Sequence, residues 1–333
     1  MPVIDTDEFS RSLRERSVRA DTGQLLISRI EGSAQESDLT EPPNCEGYGR
    51  IRHFHLATPD PWPPNPLPIV PASHRLRLRP AEIMTAQVFQ NASCNWRCWY
   101  CFVPFNLLSA SQDNAGWLTA AEMVELYLRE DDRPLIIDCS GGQPDLVPEW
   151  VPWMMRALRA RCMDQSVYLW SDDNLSNDYF WRYLDSRDHE LIASYETYGR
   201  VCCFKGYNSD SFAFNTKADP ELFGRQFELF ARLLGLGIDL YAYATFTSPD
   251  DTSLAQDMAS FVDRLQAIHP NLPLRLVPLR IEAFGVVQAR IRPIHEQAMA
   301  VQEQAVLAWN AELAVRFTEH ERQTPLPLVP LGR

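Results

Sequence analysis

The amino-acid sequence predicts an α/β protein whose core, residues 81–285, is a partial (β/α)6 barrel. Six short apolar segments alternate with stretches of helical periodicity, and polar loops follow the apolar segments. Pro278 in the sixth segment cannot donate to a sheet ladder, which indicates an edge strand and hence an open barrel. The length of 333 residues is compatible with one such barrel or with two smaller domains.

Residues 1–80 are predicted to form an N-terminal extension that is partly extended and rich in proline. A charged, helical stretch at 7–20 precedes a run at 42–71 in which fixed φ angles and missing N–H groups oppose both helix and central strand. We expect this segment to lie over the core, either as a packing belt or disordered arm, or as a lid or docking surface. His53 and His55 have a spacing that suits a metal, but they lack a matching ligand pair and are interpreted as packing or surface residues.

The first three predicted strands are residues 83–89, 134–139 and 166–170. Between the first two, Thr119 and Glu122 form a capping-box pattern that opens a helix to about Leu128. Each of the three strands ends at a loop with residues suited to chemistry, which is where α/β barrels place their active sites.

The remaining strands are predicted at 201–206, 238–247 and 274–281. Asp219 is expected to cap a helix with Pro220 at its first position, and a further helix covers 254–268. The fifth strand alternates, so one set should face the helices and the other the barrel interior. The set that should face the helices is Leu240, Ala242, Ala244 and Phe246. The set that should face the barrel interior is Tyr241, Tyr243, Thr245 and Thr247. Residues 286–333 form a C-terminal helix, from about 294 to 321, and a tail.

Composition disfavours several classes of function. The 31 basic and 44 acidic residues give a net charge of −13, which weakens the electrostatic attraction that dominates nucleic-acid affinity, so no nucleic-acid partner is expected. The sequence has no signal-like N-terminus and no run approaching the ~20 apolar residues of a membrane span. We expect a cytoplasmic protein without a membrane partner, in which eight cysteines are weak evidence for disulfides.

The most informative stretch is Cys94-Asn95-Trp96-Arg97-Cys98-Trp99-Tyr100-Cys101. Three cysteines at C-x3-C-x2-C spacing suit three corners of a cubane iron–sulfur cluster, and a centre with three protein ligands keeps one position open for catalysis. Two other interpretations are a zinc site completed by a histidine such as His74, and cysteines that are simply buried as small apolar residues.

This stretch resembles the signature of the radical S-adenosylmethionine (SAM) superfamily. The resemblance implies a [4Fe–4S] cluster on Cys94, Cys98 and Cys101, whose open iron binds SAM. The reduced cluster then cleaves SAM to methionine and a 5′-deoxyadenosyl radical that removes hydrogen from the substrate. Tyr100, beside the last ligand, is expected to support the adenine side of SAM, and an electron donor such as flavodoxin or ferredoxin is implied.

Three further stretches resemble SAM-binding motifs of this superfamily. Gly141, Gly142 and Gln143 stand where Gly-Gly-Glu binds the SAM amino group, with glutamine replacing the usual glutamate. The replacement costs little if the contact runs through the strand-end backbone, which the glycines leave open, and weakens SAM binding if it needs the side-chain carboxylate. Ser171 is aligned with a position that reaches the SAM ribose, and the alternative interpretation of the stretch Ser171-Asp172-Asp173-Asn174 is an Asx-rich turn. Lys205, followed by glycine, is similar to a lysine that meets the SAM carboxylate in relatives of the pyruvate formate-lyase activating enzyme, and a carboxylate partner is expected for it.

The predicted function is a radical SAM enzyme that acts on a small molecule or a peptide. One alternative is an activating enzyme that installs a glycyl radical on a partner protein. A second is a non-catalytic iron–sulfur or zinc module, with Cys45 as a fourth ligand. Cys203, or a barrel tyrosine, is a candidate hydrogen donor or a structural residue, and Arg280 is a candidate for a substrate carboxylate or phosphate or for surface pairing.

Overall fold

A computed structural model describes residues 3–331. The strands are β1 (Val18–Arg19), β2 (Gln24–Ser28), β3 (Gly49–His55), β4 (Ile83–Gln90), β5 (Ala115–Thr119), β6 (Ile136–Ser140), β7 (Tyr168–Asp173), β8 (Tyr198–Phe204), β9 (Leu240–Thr245) and β10 (Leu276–Leu279). The helices are α1 (Thr6–Ser17), α2 (Ile69–Arg75), α3 (Ala120–Arg129), α4 (Trp150–Ala160), α5 (Tyr179–Tyr183), α6 (Ser186–Ala193), α7 (Ser209–Thr216), α8 (Leu222–Leu234), α9 (Leu254–Ile268), α10 (Pro293–Arg316) and α11 (Glu319–Arg322).

The main sheet has seven strands in the order β10-β9-β8-β7-β6-β4-β3. The six strands from β4 to β10 are parallel and follow chain order, with helices in the connections, which confirms the predicted α/β class and a half-barrel sheet. Within residues 3–331 the end strands β3 and β10 do not pair with each other, so the sheet stays open. Pro278 lies in the edge strand β10, as predicted.

The N-terminal segment is more integrated with the sheet than expected. Its residues 49–55 form β3, which pairs antiparallel with β4 and adds a seventh strand to the six predicted. Its strand β2 pairs with β5 in a separate three-stranded sheet. An alternating segment at a sheet edge can supply this strand without a crossover helix, because antiparallel neighbours need none.

The proline-rich run packs against the inside of the half-barrel. Leu67, Ile69 and Ala72 are fully buried and share a hydrophobic cluster with Trp170 and Tyr241. The run also ends in a short helix, α2, although its proline content opposes helix. These contacts agree with a packing role for residues 61–75.

The alternation of β9 is confirmed. Leu240 and Ala242 lie in the cluster between the sheet and its helices, whereas Tyr241 and Tyr243 lie in the interior cluster. The capping box at Thr119 is also present. The cap predicted at Asp219 is wrong: α8 begins at Leu222, and Asp219 instead accepts a hydrogen bond from the Glu221 N–H at 2.9 Å in the turn before it. No described helix has both the length and the apolar character needed to cross a membrane.

Candidate functional site

The loop that carries the three clustered cysteines is held by the aromatic residues between them. The indole N–H of Trp96 donates to Thr6 Oγ1 of α1 at 3.1 Å, and that of Trp99 donates to Asn215 Oδ1 of α7 at 3.0 Å. Trp99 also stacks on His295 of α10, with ring centroids 4.6 Å apart. Contacts to three helices therefore fix this loop at the carboxyl end of β4.

Cys94, Cys98 and Cys101 are free cysteines that line one cavity. Burial raises the pKa of all three thiols, that of Cys98 to about 12 and that of Cys101 to about 11. The backbone N–H groups of Trp96 and Val103 donate to the sulfurs of Cys94 and Cys101, which lowers their pKa against the effect of burial. Three soft thiolate ligands supported by N–H donors fit an iron–sulfur cluster, whose positive irons would offset the cost of burying thiolates.

A single metal ion has no comparable site in the part of the chain that the structure describes, where no three His, Cys, Asp or Glu side chains converge on one point. The cysteines need not converge in this way, because each thiolate of a [4Fe–4S] cluster binds a different iron. His53 and His55 line the same cavity, and His53 pairs with Glu41 at 3.1 Å. His74 is exposed on α2 and does not line the cavity.

The cavity has a volume of about 500 Å³ and lies at the carboxyl ends of the parallel strands. Besides the cysteine loop, the strand ends that line it are Ser140–Gly142, Asp172, Asn174, Cys203 and Lys205. Its other walls come from residues 35, 38–40 and 50–55 of the N-terminal segment and from residues 279–282 at the end of β10 and just after it. A concave site of this size suits a small ligand with a few polar anchors.

The two glycines after β6 are required by their backbone geometry. Both have positive φ, +73° for Gly141 and +63° for Gly142. A Cβ on Gly142 would lie 2.2 Å from the Ser93 carbonyl oxygen and 2.7 Å from that of Asn91, so no side chain fits there. Ser93 O also accepts the Gln143 N–H at 2.8 Å. The Gly-Gly-Gln turn is thus joined to the start of the cysteine loop.

Gln143 does not line the cavity, and its side chain is fully buried. Its Nε2 donates to Asp173 Oδ1 at 2.8 Å, and its Oε1 accepts the Asn174 N–H at 2.9 Å. Asp173 in turn pairs with Arg200 at 2.8 Å, and Arg200 also pairs with Asp145. The Gln143 amide therefore ties the end of β6 to the end of β7 instead of facing a ligand.

Ser171 is also directed away from the cavity. Its hydroxyl is buried and lies 2.7 Å from the Tyr198 hydroxyl. Strand β7 continues to Asp173, and alternation along it places Asp172, not Ser171, in the cavity wall. Burial raises the pKa of the Asp172 carboxyl, although Arg52 and Lys205 act in the opposite direction.

Lys205 follows β8 and lines the cavity on the side of the cysteines. Its ammonium lowers the pKa of all three cluster cysteines against the effect of burial, so it lies within electrostatic range of each thiol. The carboxylate partner expected for it is not found: no carboxylate of residues 3–331 lies within 4.0 Å of the Lys205 ammonium, and Asp172 interacts at longer range. The ammonium is therefore positioned for an anionic ligand.

Tyr100 lines the cavity beside the cysteines. Its hydroxyl is 3.1 Å from Thr245 Oγ1, at the end of β9, and its ring packs edge-on against Trp99 with centroids 5.5 Å apart. The predicted cavity residues Tyr100, Gly141, Gly142 and Lys205 are thus brought together with the three cysteines, whereas Gln143 and Ser171 support the walls from behind.

Sequence reasoning missed the contribution of the N-terminal segment. Gln35, Arg50 and Arg52 all line the cavity, and so does Asn174. The Arg-x-Arg alternation at residues 50–52 was the available signal, since it places two guanidinium groups on one face of a strand.

No family model matches the chain, and no curated protein matches it. Among solved structures, Streptococcus suis SuiB bound to S-adenosylmethionine matches with a TM-score of 0.39 and 17% identity, over 54% of this chain and 37% of that chain. SuiB bound to its precursor peptide SuiA matches with a TM-score of 0.38 and 16% identity, over 54% and 36%. The chain thus spans little more than a third of SuiB, and likeness this distant assigns it no ligand, substrate or activity.

Proposed function

We propose that this chain is a radical SAM enzyme, with a [4Fe–4S] cluster on Cys94, Cys98 and Cys101 and SAM in the adjoining cavity. Bound together, the two groups supply reductive SAM cleavage and hydrogen abstraction from a substrate. The observation that carries the proposal is that the three cysteines share one cavity with the Gly141–Gly142 turn and Lys205.

The protein's own residues bind and orient the ligand. Lys205 lines the cavity, is the cation that most lowers the pKa of Cys98, and is assigned the SAM carboxylate. The glycine turn leaves backbone groups open to close approach and is assigned the SAM amino group. Tyr100, held by Thr245, supports the adenine side. Of the two contacts considered for Gln143, the backbone one is kept in this proposal, because its side chain binds Asp173 and Asn174. Ser171 is assigned a supporting role, because its hydroxyl lies against Tyr198.

A small molecule or the end of a peptide is the proposed substrate. The cavity of about 500 Å³ has walls from the strand ends and from the N-terminal segment, which leaves it restricted in size. The narrower prediction of a glycyl-radical activating enzyme stays a prediction, since no particular contact in the described residues favours it.

A reduced electron carrier such as flavodoxin or ferredoxin is the proposed partner. Arg97 and Arg290 donate to the carbonyl oxygens of Cys94 and Cys101. Besides burial, these two arginines together with Arg292 lower the pKa of Lys217, so positive charge is concentrated beside the cysteine loop. In a chain with a net charge of −13, such a cluster suits an acidic partner. Reduction of the protein by flavodoxin should therefore slow as salt concentration rises. The salt dependence of reduction by dithionite, which does not dock on this surface, is the control.

The experiment is anaerobic reconstitution with iron and sulfide, followed by dithionite reduction with SAM and measurement of 5′-deoxyadenosine. The Cys94/Cys98/Cys101→Ala triple variant should lose the cluster absorbance and all product. Cys162→Ala is the matched control, because Cys162 is exposed and away from the cavity, and it should keep both. A triple variant that still forms 5′-deoxyadenosine contradicts the proposal.

Two further variants separate the roles of other residues. Lys205→Met should weaken SAM binding at least about tenfold, measured by equilibrium dialysis, because a charge-assisted contact is lost. Cys45→Ala should keep the cluster spectrum, because Cys45 does not line the cavity and its N–H donates to Glu130 Oε1 at 2.8 Å. Loss of the cluster in that variant would instead support the non-catalytic module.

A further inference from the structure

One wall of the cavity carries a buried guanidinium without an anion. Arg50 of β3 lines the cavity and is only 5% exposed. Its Nε and Nη2 atoms are buried and make no hydrogen bond within the described structure. The Phe102 ring lies over the guanidinium, with its centroid 5.4 Å from the guanidinium carbon. A buried charge without a partner is costly, so its retention points to a ligand.

Three other buried arginines of this chain pair with carboxylates and so have a structural role. Arg14, Arg200 and Arg275 are each less than 9% exposed, and each pairs with at least one carboxylate, at 2.7 Å for Arg275 and Asp239. Among the residues described, Arg50 alone of these four has no carboxylate within salt-bridge distance. It is therefore not a structural ion pair of the same kind.

Two carboxylates act on Arg50 without pairing with it: Asp138 and Asp172 raise its pKa, but neither lies within 4.0 Å of the guanidinium. Arg52, two residues along the same strand, pairs with Asp138 at 3.5 Å. Arg280, on the opposite wall, pairs with Glu282. Burial and the neighbouring Arg52 lower the pKa of Arg50 to about 10, which still leaves the guanidinium charged at neutral pH.

A second polar group in the same wall is also unpartnered. Gln35 is 1% exposed and lines the cavity, and neither its Nε2 nor its Oε1 makes a hydrogen bond within the described structure. An amide N–H₂ and a guanidinium that line one cavity can both donate to the oxygens of an anion. Two independent unpartnered groups in this cavity are therefore consistent with an anionic ligand.

We propose that the wall formed by Gln35, Arg50 and Arg52 binds an anionic group of the substrate, either a carboxylate or a phosphate. This inference rests on the proposed function, because it separates the substrate anion from the SAM carboxylate assigned to Lys205. The guanidinium fork of Arg50 suits two oxygens of either anion, and Arg52 adds charge from the same face of β3.

The test measures binding of two probes, inorganic phosphate and succinate, to the reconstituted full-length chain by calorimetry, at ionic strength matched with sodium chloride. The titrations are run with and without saturating SAM. The variants are Arg50→Gln and Arg50→Lys, and the matched control is Arg280→Gln, which removes an arginine of the same cavity that already has a partner.

We expect at least one probe to bind the wild type saturably whether or not SAM is present. Arg50→Gln should weaken that binding at least about tenfold, Arg50→Lys should weaken it less, and Arg280→Gln should change it less than about twofold. Tighter phosphate binding assigns a phosphorylated substrate, and tighter succinate binding assigns a carboxylate substrate. Without probe, Arg50→Gln should unfold at the same temperature as the wild type or a higher one, because it loses an unpaired buried charge.

Four results overturn the proposal. The first is no saturable binding of either probe with a Kd below roughly 10 mM. The second is that Arg280→Gln weakens probe binding as much as Arg50→Gln does. The third is that SAM abolishes probe binding by competition, which would indicate that Arg50 binds the SAM carboxylate. The fourth is a clear drop in the unfolding temperature of Arg50→Gln, which would assign Arg50 a structural role. These titrations do not depend on SAM cleavage, so they succeed or fail separately from the proposed reaction.

Discussion

Replacing Gln143 with glutamate would restore the usual Gly-Gly-Glu motif, but the structure predicts that it destabilises this protein. The Gln143 side chain donates from Nε2 to Asp173 Oδ1 at 2.8 Å and accepts at Oε1 from the Asn174 N–H. Gln143→Glu keeps the acceptor and replaces the donor with a carboxylate oxygen facing that of Asp173. Two ionised carboxylates at this distance cannot both persist, so one must take up a proton.

The size of the effect follows from the pKa of an unfolded glutamate, about 4.3. Keeping this side chain neutral in the folded state at pH 7 costs about 3.7 kcal/mol, because each pKa unit is worth about 1.36 kcal/mol. At pH 5 the cost falls to about 1 kcal/mol. The folded-state pKa is raised above the unfolded value, so stability of the variant relative to wild type decreases as pH rises from about 4 toward 7. Once protonated, the side chain donates to Asp173 as glutamine does.

The assay is urea unfolding of wild type and Gln143→Glu at pH 5 and pH 7, in the same state of cluster loading. Gln256→Glu is the matched control, because it adds the same charge at an exposed position on α9 and should change stability by no more than about 0.5 kcal/mol. The assigned Asp173 contact would be refuted if Gln143→Glu lowered the free energy of unfolding by less than about 1 kcal/mol at pH 7. It would also be refuted if the loss of unfolding free energy relative to wild type were equal at both pH values.

Three other predictions concern the same region. Gly142→Ala should lower the unfolding temperature far more than Gly237→Ala, since both glycines have positive φ but only the first would drive a Cβ into the Ser93 carbonyl; equal effects would contradict the close contact. Arg200→Met should cost about 3–5 kcal/mol in thermal unfolding, because it leaves two buried carboxylates without their cation, and a near-neutral result would show that they are not ionised. Burial raises the pKa of Asp138 to about 7, so ionisation destabilises the folded form as pH rises. The stability of Asp138→Asn should thus improve relative to wild type by about 3 kcal/mol between pH 5 and pH 8 in urea unfolding, and a pH-independent difference would contradict the raised pKa.

The sequence alone determined the order of the six parallel strands and the place of the chemistry. Apolar segments alternating with helical periodicity are local signals, and a parallel sheet brings the carboxyl ends of its strands to one edge. That is why Cys94, Gly141 and Lys205, which lie far apart in sequence, were expected to meet, and the structure places them around one cavity.

The tertiary structure decided which side of each strand a residue occupies and which distant segment completes the cavity. A shift of one residue in a strand turns a side chain to the other face, so Asp172 lines the cavity where Ser171 was expected. The Gln143 amide turns inward because Asp173, on the next strand, offers it an acceptor. Arg50 reaches the cavity only because β3 pairs with β4 across a long connection; the alternation at residues 50–52 indicates a strand, but it does not indicate which distant strand it pairs with.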